Sequence, residues 1–339
     1  MQHEELIETV KKLVVKGKGI LAADESVPTC TKRFEALGVE STEENRRAYR
    51  DMILTTPDLN KSISGVILFE ETLNQATKDG VPFAKILEER GIVPGIKVDK
   101  GVKPLFGSPE ETYTQGLDDL GLRLEEYKKK GARFAKWRAV IKISDVFPSR
   151  VAMQANAQGL ASYAAVCQQH GIVPIVEPEL LMDGNHSIER CFEATEAMLQ
   201  TVFHALNEQK IKLEGMILKP SMVISGNKCA KQASVQDVAE ATLAVLRRTV
   251  PAAVPSINFL SGGQSAQVAV EHLEAMNRSS TVKPWYVSFS YGRALQAPAL
   301  KIWAENINDA ENIKKAQAAL LERVEANGAA TLNAVASLV

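Results

Sequence analysis

Residues 134–179 read FAKWRAVIKISDVFPSRVAMQANAQGLASYAAVCQQHGIVPIVEPE. The first part, Phe134–Ile143, is a short apolar run interrupted by Lys136 and Arg138. The last part, Ile172–Glu177, is a second apolar run that meets Glu177 and then Glu179. Between them QGLASYAAVCQQHG, from Gln158, carries apolar residues at helical spacing. Strand, crossover helix, strand is the unit of a parallel sheet.

The same rhythm extends in both directions. Eight candidate strands are legible, near 19–24, 65–69, 92–98, 134–143, 172–177, 215–219, 256–261 and 285–290. Amphipathic segments separate them, among them NRRAYRDMILT, GLRLEEYKKKG, VQDVAEATLAVLRRTV and QSAQVAVEHLEAMN. No Pro/Gly/Ser-rich linker divides the chain, so the pattern predicts one α/β domain over 1–339, a closed (β/α)8 TIM barrel. An open doubly wound sheet would show a glycine fingerprint between its first strand and first helix. The nearest candidate, GKGILA, leads into a strand and not out of one.

Composition narrows the function. Hydrophobic residues make up 45% and charged residues 24%, with a formal net charge of -1, so no general electrostatic footprint for nucleic acid is present. The four cysteines, Cys30, Cys167, Cys191 and Cys229, form no CxxC pair, which points to a reducing, cytoplasmic setting. MQHEELIETV lacks the apolar segment of a signal peptide, and no run is long enough to span a membrane.

Charged and small polar residues cluster where the predicted strands end. They are Asp24, Lys97 with Asp99, Lys136 and Arg138, Glu177 and Glu179, Lys219, Ser261-Gly262-Gly263, and Ser290 with Gly292 and Arg293. Buried parallel strands are ordinarily apolar. The carboxyl ends of barrel strands are where active sites form. Structural ion pairs are the plainer alternative, but buried pairs are weak stabilisers.

The residue types select the chemistry. The five histidines, His3, His170, His186, His204 and His272, form no HxH or HExxH arrangement. Lysines also crowd the carboxylates that would hold magnesium, so no metal and no cofactor is expected. A lysine nucleophile fits better. Lys219 follows apolar Met216, Ile217 and Leu218, and desolvation favours the neutral amine that attacks a ketone. Lys97 and Lys136 remain rivals for that role. Glu177 and Glu179 suit the proton transfers of Schiff-base formation, and Asp24 suits removal of a hydroxyl proton. SGGQS (261–265) and SYGRA (290–294) follow the last two strands, the usual phosphate position of a barrel. Thr29, Lys32 and Arg33 offer a second anion site after Asp24.

The chain resembles the class I, Schiff-base fructose-bisphosphate aldolases. The matching stretches are GKGILAADES (17–26), TEENRRAYR (42–50), GVILFEETL (65–73), GIKVDKG (95–101), TYTQGLDDL (112–120), FAKWRAV (134–140), VPIVEPE (173–179), LKPSMV (218–223), FLSGGQS (259–265) and FSYGRALQ (289–296). The resemblance implies reversible cleavage of fructose 1,6-bisphosphate to dihydroxyacetone phosphate and glyceraldehyde 3-phosphate by a homotetramer. It makes Lys219 the Schiff-base lysine and Glu177 the principal acid/base. Glu179 is expected against Lys219. Lys136 and Arg138 assist proton transfer and hold substrate, Asp24 handles the C4 hydroxyl, and Lys97 lies beside it. Ser261, Gly262, Gly263, Ser290, Gly292 and Arg293 fall to the C1 phosphate, and Thr29 and Arg33 to the C6 phosphate.

Two departures from the family pattern stand out. Where many relatives read ADESTGS, this chain reads ADESVPT (23–29), near the expected C6-phosphate side. Many relatives also carry a C-terminal tail ending in tyrosine that speeds proton exchange on the carbanion. This chain ends ANGAATLNAVASLV (326–339). Cleavage is expected to survive, with the exchange slow or served by another group. The rival readings are a Schiff-base aldolase favouring sedoheptulose 1,7-bisphosphate or another sugar phosphate, and a non-catalytic scaffold on the same fold.

Overall fold

The structure is a computed structural model that describes residues 2–332. The tyrosine-free terminus, residues 333–339, lies outside the described residues. Among the described residues ten strands form in chain order. They are β1 Gly19–Ala23, β2 Ile63–Leu68, β3 Val93–Lys97, β4 Val102–Leu105, β5 Ser108–Thr114, β6 Phe134–Ile141, β7 Val173–Leu180, β8 Ile217–Leu218, β9 Ser256–Phe259 and β10 Tyr286–Tyr291. Eight of them close a parallel barrel in the order β1-β10-β9-β8-β7-β6-β3-β2, with helices in the crossovers. This is a single-domain (β/α)8 fold, and the barrel strands fall at the eight sites read from the sequence.

Local differences have physical causes. β7 runs on through Pro178 to Leu180, which brings Glu179 into the strand. β8 is cut to Ile217–Leu218 because Leu213–Gly215 turns as a 3-10 helix before it. β4 and β5 pair with each other as an antiparallel hairpin outside the barrel, an element the sequence reading did not foresee. Its strands hold polar residues and no alternating apolar face, so the usual hairpin signal is missing. The helix after β6 starts at Arg150, well before Gln158, with Ser149 Oγ capping the backbone N–H of Ala152.

Period-two alternation sorts the strand residues into two cores. Leu21, Val66, Ala135, Trp137 and Val176 face outward and pack under the helices. Trp137 stacks on Tyr163 of the helix Arg150–Gln169, with ring centroids 5.4 Å apart. Ile20, Ile67, Val93, Phe134, Val173, Ile175 and Ile217 face inward and meet Leu6, Val10 and Leu13 of the helix Gln2–Leu13. That helix stops the barrel at the amino ends of its strands. Gly95 has no side chain for a reason: a Cβ there would lie 2.3 Å from the Phe134 ring. With one end filled by apolar side chains, the inward positions at the carboxyl ends are left for polar groups. Among the described residues no helix is long and apolar enough to cross a membrane.

Candidate active site

Every residue picked from the strand ends lines one cleft of about 530 Å³. Asp24 follows β1, Lys97 ends β3, Lys136 and Arg138 stand on β6, and Glu177 and Glu179 stand on β7. Lys219 follows β8, Ser261 to Gly263 follow β9, and Ser290 to Arg293 come from the end of β10 and the turn after it. Thr29 and Arg33 join from the helix Val27–Glu35.

The floor is a chain of charges. Lys219 Nζ lies 3.2 Å from Glu177 Oε1, and Lys136 Nζ lies 3.4 Å from Glu177 Oε2. Lys136 also contacts Asp24 at 2.7 Å and approaches Asp99 at 4.0 Å. Lys219 is 3% exposed and Lys136 and Glu177 4% each, so these charges have little solvent to rely on. Burial disfavours the charge on Asp24, but Lys136 and Lys219 outweigh it and hold the carboxyl well below the usual range. Burial likewise opposes the charge on Lys136, and Asp24, Glu177 and Asp99 overcome it and hold the ammonium well above the usual lysine range. The carboxylates around Lys136 thus favour its cationic form.

Glu179 does not sit against Lys219 as expected; it pairs with Arg138. Sheet register explains this. Val176 is level with Leu218, so Lys219 stands level with Glu177, and Glu179 is one pleat higher, about 6.6 Å along the strand. Lys97 pairs with Asp99, at 2.7 Å to both Oδ1 and the carbonyl, and not with Asp24. Asp99 is therefore the shared anchor of Lys97 and Lys136.

The rim carries two sets of anion-receptive groups. After β9, Gly262 and Gly263 take φ of 57° and 91°, a left-handed pair that glycine adopts without strain. Ser265 then caps the helix Ala266–Arg278 by accepting from the backbone N–H of Val268. Arg293 begins the helix Arg293–Glu305, and a Cβ on Gly263 would lie 3.3 Å from its Nη2. Ser290 Oγ is buried beside this loop without a hydrogen-bond partner. After β1, the strand that pairs with β10, Ser26 Oγ lies 3.1 Å from Thr29 Oγ1. The altered ADESVPT segment places a proline in the first turn of the helix Val27–Glu35, where its missing N–H costs no helical bond.

Sequence reasoning missed Glu25. Its carboxylate accepts from Arg33 Nη1 at 2.6 Å, from buried Arg50 Nη2 at 2.8 Å and from Gln296 Nε2 at 3.0 Å. Arg33 is therefore held on a carboxylate at the cleft wall. The run Asp24-Glu25 was the only signal, and nothing in it says which of the two faces which partner.

A buried amine in contact with a carboxylate, a second carboxylate at a lysine-lined wall, and anion loops on two sides suit Schiff-base chemistry on a molecule with two anionic ends. Among the described residues no group of three or more His, Cys, Asp and Glu side chains is arranged to hold a metal ion.

Comparison with known proteins gives a consistent result. The family model described as "Fructose-bisphosphate aldolase class-I" matches residues 5–337. A "Probable fructose-bisphosphate aldolase class 1" of Xanthomonas campestris is 56% identical over 98% of each chain. "Fructose-bisphosphate aldolase 5, cytosolic" of Arabidopsis thaliana is 54% identical over 97% of this chain and 91% of its own. The solved fructose-bisphosphate aldolase of Plasmodium falciparum superposes with a TM-score of 0.95 at 50% identity, over 98% of this chain and 95% of its own.

Proposed function

The chain belongs to the class I fructose-bisphosphate aldolases, and from that premise we propose how its residues divide the reaction. The enzyme cleaves fructose 1,6-bisphosphate reversibly to dihydroxyacetone phosphate and glyceraldehyde 3-phosphate through a lysine Schiff base. The observation that carries the residue roles is the 3.2 Å contact between Lys219 Nζ and Glu177 Oε1 in a site closed to solvent below.

In this reading Lys219 attacks the C2 ketone as a neutral amine, giving a carbinolamine. Glu177 protonates the C2 hydroxyl, water leaves, and a protonated imine remains. Asp24 takes the proton of the C4 hydroxyl. The C4 oxygen becomes the aldehyde carbonyl, and the C3–C4 electron pair moves into the imine to give an enamine. Glyceraldehyde 3-phosphate departs. Glu177 is the acid nearest Lys219 among the described residues. It is reprotonated by the proton that Asp24 took, relayed across the Lys136 ammonium that touches both carboxylates. Glu177 delivers that proton to C3, and Asp24 is again ionised. Water then adds to the imine and releases dihydroxyacetone phosphate. Lys136 stays cationic throughout and steadies the charge passing between Asp24 and Glu177. Asp24 becomes an effective base only once substrate loosens its contact with Lys136, because that contact lowers its proton affinity.

Arg293, Ser290 and the Ser261–Gly263 loop hold the phosphate on the ketone side, and Arg33 and Thr29 hold the one on the aldehyde side. Arg138, Glu179 and Lys97 order the sugar between them. A homotetramer in the cytoplasm, working in glycolysis or in its reversal, belongs to the same proposal; light scattering on the purified protein tests the assembly.

Incubation with dihydroxyacetone phosphate, reduction with borohydride and peptide mapping test the assignment. An adduct on Lys219 is expected. An adduct on Lys136 or Lys97 overturns the role of Lys219, and no adduct in folded, ligand-binding protein overturns the residue scheme as a whole.

A further inference from the structure

One buried histidine takes no part in the chemistry above. His272 stands on the helix Ala266–Arg278 and is 6% exposed. Its Nδ1 lies 2.6 Å from Oε1 of Gln264. Gln264 is also buried, and its Nε2 donates to the Ser261 carbonyl at 2.9 Å and lies 3.6 Å from Met222 Sδ. The backbone N–H of Gln264 donates to the same carbonyl at 3.0 Å. One residue therefore grips Ser261 twice, and its side chain is gripped in turn by His272.

Hydrogen placement follows from chemistry. A carbonyl oxygen only accepts, so the Gln264 amide must turn its nitrogen to Ser261 and its oxygen to His272. That oxygen also only accepts, so His272 must carry its hydrogen on Nδ1. Burial depresses the basicity of the ring, against the opposing pull of Glu271, so it stays neutral near pH 7 and has one N–H to give. Without that donor only the bond to Ser261 orients the amide, and the rotamer that sets its oxygen against the Ser261 oxygen is no longer opposed from the other end. The loop that depends on this arrangement contains Gly262 and Gly263, both in the left-handed region. Glycine has many alternatives to that conformation, so something outside the loop must select it.

We infer that His272 is a positioning residue for phosphate recognition: acting through Gln264, it clamps the Ser261 carbonyl and fixes the Ser261–Gly263 loop in its anion-receptive form. The inference rests on the reading of that loop as the ketone-side phosphate site. His272 touches no reacting atom; its effect is on binding.

The test uses fructose 1-phosphate, which carries only the ketone-side phosphate, and inorganic phosphate as a competitive inhibitor. His272→Leu removes the donor at similar volume. It raises KM for fructose 1-phosphate and Ki for phosphate about fivefold, the effect of about one lost hydrogen bond, with kcat little changed. His272→Asn restores a donor and recovers both constants, which a merely structural role does not predict. Gln264→Glu keeps the histidine bond but loses the donor to Ser261, and it raises the same two constants even if the leucine variant fails to fold. Unchanged constants in folded His272→Leu or in Gln264→Glu, alongside a clear rise in Arg293→Ala, overturn the clamp and leave the phosphate site standing. Unchanged constants in Arg293→Ala remove the phosphate reading itself.

Discussion

Asp24 and Lys136 meet at 2.7 Å although β1 and β6, the strands that bring them, are not neighbours in the barrel. The contact ties opposite walls of the site together and sets the charge of both groups. A carboxyl held low contributes stability that is fully present above its unfolded pKa, about 3.9, and is lost as pH falls. An ammonium held high contributes stability present below about 10.4 and lost as pH rises. Asp24→Asn should therefore be less stable than the parent to urea at pH 7, and the gap should narrow below pH 4 by about 1.4 kcal/mol per pH unit. An equal gap at pH 7 and pH 3 contradicts the depressed carboxyl.

Glu177 touches both central lysines, one with each carboxylate oxygen. Glu177→Gln removes the acid while keeping the shape. We expect kcat for cleavage to fall about 10²- to 10⁴-fold, with a smaller change in KM. Borohydride trapping on Lys219 should still proceed, slowly, because the amine remains. Near-parental kcat in this variant would shift the proton work to Glu179.

Arg33 rests on Glu25 beside the aldehyde end of the proposed sugar. Arg33→Ala should weaken use of fructose 1,6-bisphosphate and spare fructose 1-phosphate. One charge-assisted hydrogen bond is worth about 1.5–3 kcal/mol, so the ratio of kcat/KM between the two sugars should fall roughly 10- to 150-fold. Equal losses on both sugars would place Arg33 outside phosphate recognition.

Gly95→Ala tests the packing beneath the site. Its methyl group would meet the Phe134 ring at 2.3 Å. Overpacking of this kind costs about 1–3 kcal/mol, visible as a lower thermal midpoint. Phe134→Leu in the same chain should return part of the loss, and no recovery in the double variant contradicts the clash.

Much of this was legible in the sequence because a buried strand with a lysine in it is anomalous. Lys136, Arg138, Glu177 and Lys219 announce themselves by breaking apolar runs, and all four line the cleft. What local sequence does not encode is who faces whom. Glu179 was expected at Lys219, yet the register of β7 with β8 sets it one pleat too high, and Arg138 takes it. Glu25 escaped notice because its partners Arg33, Arg50 and Gln296 come from three later helices. His272 sits in an amphipathic helix and gives no outward sign that its ring reaches Gln264.

The apolar stopper formed by Leu6, Val10, Leu13 and Phe134 makes the barrel a cul-de-sac. A chamber with one door imposes an order on traffic. In the proposed reaction the fragment bonded to Lys219 is moored while the other is loose, so the aldehyde half exits first. In the synthetic direction the ketone half must dock and be moored before the aldehyde arrives. The plug closes the second way out, and in the proposed scheme the tether to Lys219 sets the order in which the halves pass the one that is left.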